Sequence, residues 1–127
     1  MKKVFAIIVI LIISTVFLLG CNEQTENLGY TDITAAEAKE KIDSNPDIVI
    51  IDVSPHYDDG HIPGALHYYG SNSLDDAIPT LDKEKEYLVY CHADGPSISA
   101  ANKLAEAGFT MVYRLEGNYQ ALSLIHI

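Results

Sequence analysis

The sequence predicts an α/β protein with a mostly parallel, doubly wound central sheet flanked by helices. Two apolar runs of strand length, Ile48–Val53 and Tyr87–Tyr90, read as strands buried on both faces. Around them lie segments with apolar residues at helical spacing and capping residues at their starts. Strands that alternate with helices imply parallel crossovers, and in such sheets ligands bind beyond the carboxyl ends of the strands.

The elements follow in chain order. Lys2 and Lys3 precede an apolar run from Val4 to Leu19, the layout of a secretory signal over residues 1–20. The run is about sixteen residues long, short of the roughly 20 that a transmembrane helix needs. It ends Leu18-Leu19-Gly20-Cys21, which resembles the bacterial lipobox. That resemblance implies lipidation at Cys21 and a lipid-anchored protein on the extracytoplasmic face of the cell membrane. An uncleaved anchor is the alternative, with the same orientation, because the lysines stay inside. Stable anchoring needs more than one acyl chain. The polar residues up to Gly29 read as a flexible tether, and residues 30–121 suit one domain with one core.

Within the domain, Thr34-Ala35-Ala36-Glu37 is a capping box that opens a helix to about Ser44, with Ala35, Ala38 and Ile42 on one face. Asn45-Pro46-Asp47 ends it. After the Ile48–Val53 strand, Gly60, Pro63 and Gly64 punctuate a loop, and Ala65–Tyr68 forms a short strand. Ser73 caps a helix through Ile78 that Pro79 stops. The Tyr87–Tyr90 strand runs directly into Cys91. Ser97 then caps a helix whose apolar face is Ile98, Ala101, Leu104 and Ala105, ended by Gly108. Met111–Leu115 is a third long strand.

The formal net charge is −10, and loss of Lys2 and Lys3 with the signal makes the mature chain more acidic still. This argues against nucleic acid as a partner, because phosphate binding needs clustered Lys and Arg. With Cys21 lipidated, Cys91 is the one free thiol, which excludes a disulfide scaffold and a CxxC redox pair. His56, His61, His67 and His92 match no zinc-ligand spacing. Tyr68 and Tyr69 could line a pocket, with packing the favoured role.

Around Cys91 the sequence is Tyr90-Cys91-His92-Ala93-Asp94-Gly95-Pro96-Ser97. A strand stops, a tight loop follows and a helix begins. Backbone amides of such a loop form an anion nest, which favours the nucleophilic thiolate. The alternative is a buried structural cysteine.

Three stretches then align with one family. They are Asp52-Val53 followed by Gly60-His61-Ile62-Pro63-Gly64-Ala65, Tyr90-Cys91 with Ser97 in the loop frame, and Ala107-Gly108-Phe109 through Leu115-Glu116-Gly117. Together they resemble the single-domain rhodanese-like sulfurtransferases over nearly all of Tyr30 to Ala121. The resemblance implies a rhodanese-like fold in which Cys91 is the catalytic nucleophile. Cys91 would take sulfur from a small sulfane donor as a persulfide and pass it to a thiol or other nucleophilic acceptor. His92, Ala93, Asp94, Gly95 and Ser97 would hold the substrate. Asp52, Gly60, His61, Pro63 and Gly64 would be structural. No metal or organic cofactor is implied. The alternative is a non-catalytic module that binds a partner or senses reactive sulfur.

The chain departs from the family pattern in several places. Ser54 stands where Arg is usual, and His56 where an acid is common, so an Arg–acid brace is absent. Pro96 replaces a loop Arg and removes one amide donor. Asp94 places negative charge near the thiolate and opposes anionic donors such as thiosulfate, while His92 could offset it. Ser97 stands where a Cys-dependent phosphatase needs its phosphate-clamping Arg, which excludes that chemistry. Leu122–Ile127 is similar to the translated end of a transposase-type sequencing adapter, so residues 122–127 read as a non-native tail on a shortened final helix.

Overall fold

The computed structural model describes residues 29–124. The signal segment, Cys21 and most of the tether lie outside them, as do residues 125–127. Five strands, β1 (Thr31–Ile33), β2 (Val49–Asp52), β3 (Leu66–His67), β4 (Tyr87–Tyr90) and β5 (Val112–Leu115), form one sheet in the order β1-β5-β4-β2-β3. Every pairing is parallel. The helices are α1 (Ala35–Ser44), α2 (Leu74–Ala77), α3 (Asp94–Glu106) and α4 (Asn118–Ser123). Among the described residues no helix is long and apolar enough to cross a membrane.

The apolar runs form the inner strands because both of their faces are covered. Along β4, Tyr87 and Val89 join Ile51, Ala101, Leu104 and Phe109 on one side of the sheet. Leu88 and Tyr90 join Ile33, Ala38, Ile50 and Leu115 on the other. Side chains alternate between faces with a period of two, so one continuous apolar run serves both cores. Cys91 continues the first set and lies on the α3 side.

The α1 expectation holds. Thr34 Oγ1 accepts the Glu37 amide, and the Glu37 carboxylate accepts the Thr34 amide, closing the capping box. Ser73 Oγ accepts the Asp76 amide at the start of α2. After Ala77 the chain tightens into a 3₁₀ turn, Ile78–Thr80, with Pro79 in its first positions where no amide is required. At the end of α3, Gly108 has φ +94° and the Phe109 amide donates to Leu104 at 3.1 Å, a Schellman closure that only a left-handed residue permits at low cost.

Two expectations are corrected. The α3 helix begins at Asp94 with Ala93 as N-cap, so Ser97 lies inside its first turns. Pro96 is compatible with this earlier start because the first helical amides have no intrahelical partner to lose. The Ser97 hydroxyl donates to the Asp94 carbonyl at 2.8 Å and is thereby satisfied while fully buried. The buried face is consequently Ser97, Ala100, Ala101 and Leu104, and Ile98 stands 38% exposed. The strand β1 was not anticipated, because Thr31-Asp32-Ile33 has no apolar run and pairs on one edge only, with β5.

The final helix has Gly117 as N-cap and Asn118 as its first residue, both at positive φ. Leu122, in the stretch read as a tail, is 1% exposed and packs in the core with Ile33 and Leu115, whereas Leu124 is 79% exposed. Leu122→Ala should therefore cost about 2–4 kcal/mol in urea unfolding. Leu124→Ala should stay within about 0.5 kcal/mol. Equal effects of the two substitutions would contradict the packing described.

Candidate active site

Cys91 is the first residue past β4, at the carboxyl end of a strand paired on both edges. Two backbone bonds fix this point of the chain. The Val53 amide donates to the Tyr90 carbonyl at 3.1 Å, and the Tyr119 amide, at the start of α4, donates to the Cys91 carbonyl at 3.0 Å. Only His92 separates Cys91 from the α3 N-cap, Ala93. The thiol is therefore held beside a helix N-terminus, whose free amides offer hydrogen bonds to an anionic sulfur. Cys91 is free and 2% exposed.

A pocket of about 370 Å³ opens over the thiol, lined by Val53, Pro55, His56, Tyr69, His92, Ala93 and Pro96 with Cys91. Of the residues expected to hold substrate, His92 and Ala93 line it, while Asp94, Gly95 and Ser97 belong to the helix behind. Of the two roles open to Tyr69, the structure shows the pocket wall: it lines this hollow and is half-exposed.

The Gly60–Ala65 segment is the second support of the site. Pro63 and Gly64 (φ +82°) form a tight turn closed by the Ala65 amide donating to the Ile62 carbonyl at 3.0 Å. The His61 ring stacks on Tyr57 at 3.6 Å, and its Nδ1 donates to the Tyr57 carbonyl at 2.8 Å. His92 Nε2 donates to the Gly60 carbonyl at 3.1 Å, tying the cysteine loop to this turn. The His92 ring also stacks on Tyr119, with centroids 4.6 Å apart. A side chain at Gly60 would meet the Tyr119 hydroxyl at 2.7 Å, so the close approach requires glycine.

Beneath the turn, the Ile62 amide donates to the Tyr90 hydroxyl at 2.9 Å. Burial pushes the Tyr90 phenol far up; the bond from Ile62 opposes this, and the nearby Asp52 carboxylate adds to it. Tyr90 thus keeps its proton and faces a buried acid. Asp52 Oδ1 accepts the Ser54 amide at 2.8 Å. The missing Arg–acid brace has a local replacement. Ser54 is buried, its hydroxyl accepts the His56 amide at 3.2 Å, and its carbonyl accepts a bond from His67 Nε2 at 2.8 Å. His56 Nδ1 meets Asp59 at 2.9 Å.

Asp94 is not a free charge beside the sulfur. Its carboxylate lies 3.3 Å from Arg114 Nη1, and Arg114 Nε donates to Asp32 at 2.6 Å. The buried guanidinium ties β5 to β1 and to the first turn of α3, and the bond to Asp32 is the main reason it holds its proton more tightly than usual. Residue reading missed this group, although the chain's single arginine in an apolar strand was a usable signal. Among the described residues no three His, Cys, Asp or Glu side chains converge as a metal site.

Among the described residues one free thiol stands at the carboxyl end of a central parallel strand, ahead of a helix N-terminus and lining an open pocket, in a parallel α/β fold. The sequence matches the Rhodanese-like domain over residues 34–124, and the chain belongs to that family. It is 38% identical over 99 residues to the thiosulfate sulfurtransferase GlpE of Coxiella burnetii, covering 76% of this chain and 91% of that protein. It is 34% identical over 92 residues to the putative sulfurtransferase YtwF of Bacillus subtilis, covering 71% and 87% respectively. The solution structure of a rhodanese-like domain from Anabaena superposes with a TM-score of 0.66 at 32% identity, covering 75% of this chain and 74% of that one.

Two substitutions test these supports by equilibrium unfolding. Tyr90→Phe leaves the Ile62 amide buried without an acceptor and should cost about 1–3 kcal/mol. Arg114→Met should cost about 1–2 kcal/mol, less than a fully buried pair, because Asp32 and Asp94 remain open to water.

Proposed function

We propose that this protein is a membrane-tethered, extracytoplasmic sulfurtransferase that moves sulfane sulfur through a Cys91 persulfide. The observation that carries the reading is the placement of Cys91, two residues ahead of the α3 N-cap and lining an open pocket. Family membership and relatives named as sulfurtransferases support it. The tether rests on Lys2, Lys3, the Val4–Leu19 run and Cys21.

The chemistry takes two steps. In the first, the Cys91 thiolate attacks the outer sulfur of the donor. A new S–S bond forms to Sγ, the donor's own S–S bond breaks, and its electron pair leaves with the remainder of the donor. In the second, an acceptor thiolate or other nucleophile attacks the terminal sulfur, and Cys91 leaves as thiolate. Each half-reaction releases a product before the next substrate enters, so ping-pong kinetics are expected. The loop amides ahead of α3 stabilise the charge carried by the terminal sulfur.

Exposure to sulfane donors should add one sulfur atom to the intact protein, and Cys91→Ser should abolish the addition. Failure to add sulfur from any donor, with Cys91 still open to alkylation, would instead support a non-catalytic binding or sensing module. For the tether, Cys21→Ser should release the protein from membranes and remove metabolic lipid label; retention of both would sink the lipoprotein assignment.

A further inference from the structure

The pocket over Cys91 does not end at its walls. A second hollow of about 210 Å³ adjoins it, sharing Val53, Tyr69 and Pro96 as walls, and the pair is termed the trough. The second hollow is lined by the segment Tyr68–Asp75 and by α3 residues that include Lys103. The thiol half of the trough is apolar, built from Val53, Pro55, Tyr69, Ala93 and Pro96. One nitrogen of each nearby imidazole is already committed, His92 to the Gly60 carbonyl and His56 to Asp59. Among the described residues no Lys or Arg lines this half. Lys103, in the second hollow, pairs with Asp75 at 2.6 Å. Tyr69 is 51% exposed and presents a large ring beside the thiol.

Thiosulfate carries two negative charges. To reach Cys91 it must leave water against proline and tyrosine, without a permanent counter-charge, on a chain of net charge −10. A donor with one charge and an apolar body loses less hydration and gains contact with the trough. We propose that Tyr69, with Pro55 and Pro96, binds the apolar body of an organic sulfane donor, so the enzyme prefers organic thiosulfonates over thiosulfate. This rests on the sulfurtransferase reading above and specifies its substrate class. In the step proposed, Cys91 Sγ attacks the sulfane sulfur of R–SO₂–S⁻. The Sγ–S bond forms as the donor S–S bond breaks, and the electron pair leaves with R–SO₂⁻. The sulfonyl sulfur is reduced to sulfinate as Cys91 is oxidised to the persulfide, so no further oxidant is needed.

The test uses the full chain in detergent, with thiosulfate, methanethiosulfonate and benzenethiosulfonate as donors. The initial rate of persulfide formation on Cys91 is read by intact mass. Each rate is divided by that of free cysteine with the same donor, which removes intrinsic reactivity. The normalised rate should rise in that donor order, spanning about tenfold. Tyr69→Ser should collapse the ratio of benzene to methane donor, and Tyr69→Leu should retain most of it. Pro96→Arg, which places a cation in the wall, should raise the thiosulfate rate about tenfold. Thiosulfate as the fastest donor, or a benzene-to-methane ratio unmoved by Tyr69→Ser, would overturn the proposal and leave the transferase reading standing. Persulfide from none of the donors would overturn both.

Discussion

The pairing of β4 with β2 on one edge and β5 on the other is the constraint from which the rest of the site hangs. Its four residues are all buried, so neither face nor edge has freedom to shift. Each support of the thiol is anchored to the end of this strand. The Tyr90 carbonyl holds Val53, the Tyr90 hydroxyl holds Ile62, and the Cys91 carbonyl holds Tyr119. Three separate stretches of chain are thereby referenced to one rigid point. Such referencing keeps a reactive group in place better than a loop alone could.

The site also shows how a family framework absorbs a change at a supporting position. Ser54 cannot make the ionic brace that an arginine makes. Its hydroxyl and carbonyl instead collect the His56 amide and the His67 ring, and Tyr57 lies between His61 and His67 in a stacked row. Long-range ion pairing is replaced by short hydrogen bonds and ring contacts within one loop. An ionic tie is made instead by Arg114, which joins β1 and α3.

What could be read from residues depended on how local the cause was. The strands β2 and β4 were legible because burial on both faces writes itself as an unbroken apolar run. The start of α1 was legible because a capping box spans four residues. The start of α3 was misplaced because Pro96 looked like a loop residue, whereas the first turn of a helix does not use its amide. Strand β1 was missed because its partner, β5, lies about eighty residues away, and nothing in Thr31-Asp32-Ile33 announces it. The position of Cys91 was legible from the family frame. The state of Asp94 was not, because its partner, Arg114, is brought to it only by the sheet. The pocket walls Pro55 and Tyr69 were likewise set by the fold rather than by the loop that holds the thiol.

The depth of Cys91 has a further consequence. A disulfide requires the two α-carbons to approach within about 4.4–6.8 Å. Cys91 is 2% exposed and shares its pocket with Pro55, Tyr69 and Pro96, which places it poorly for such an approach by a cysteine embedded in another folded surface. The burial therefore favours reactants that can enter the pocket. Such reactants are a slender small molecule or the projecting tip of a chain, rather than the broad surfaces that would cross-link two copies of the protein. The burial that limits access also keeps the thiol available as a monomeric reagent.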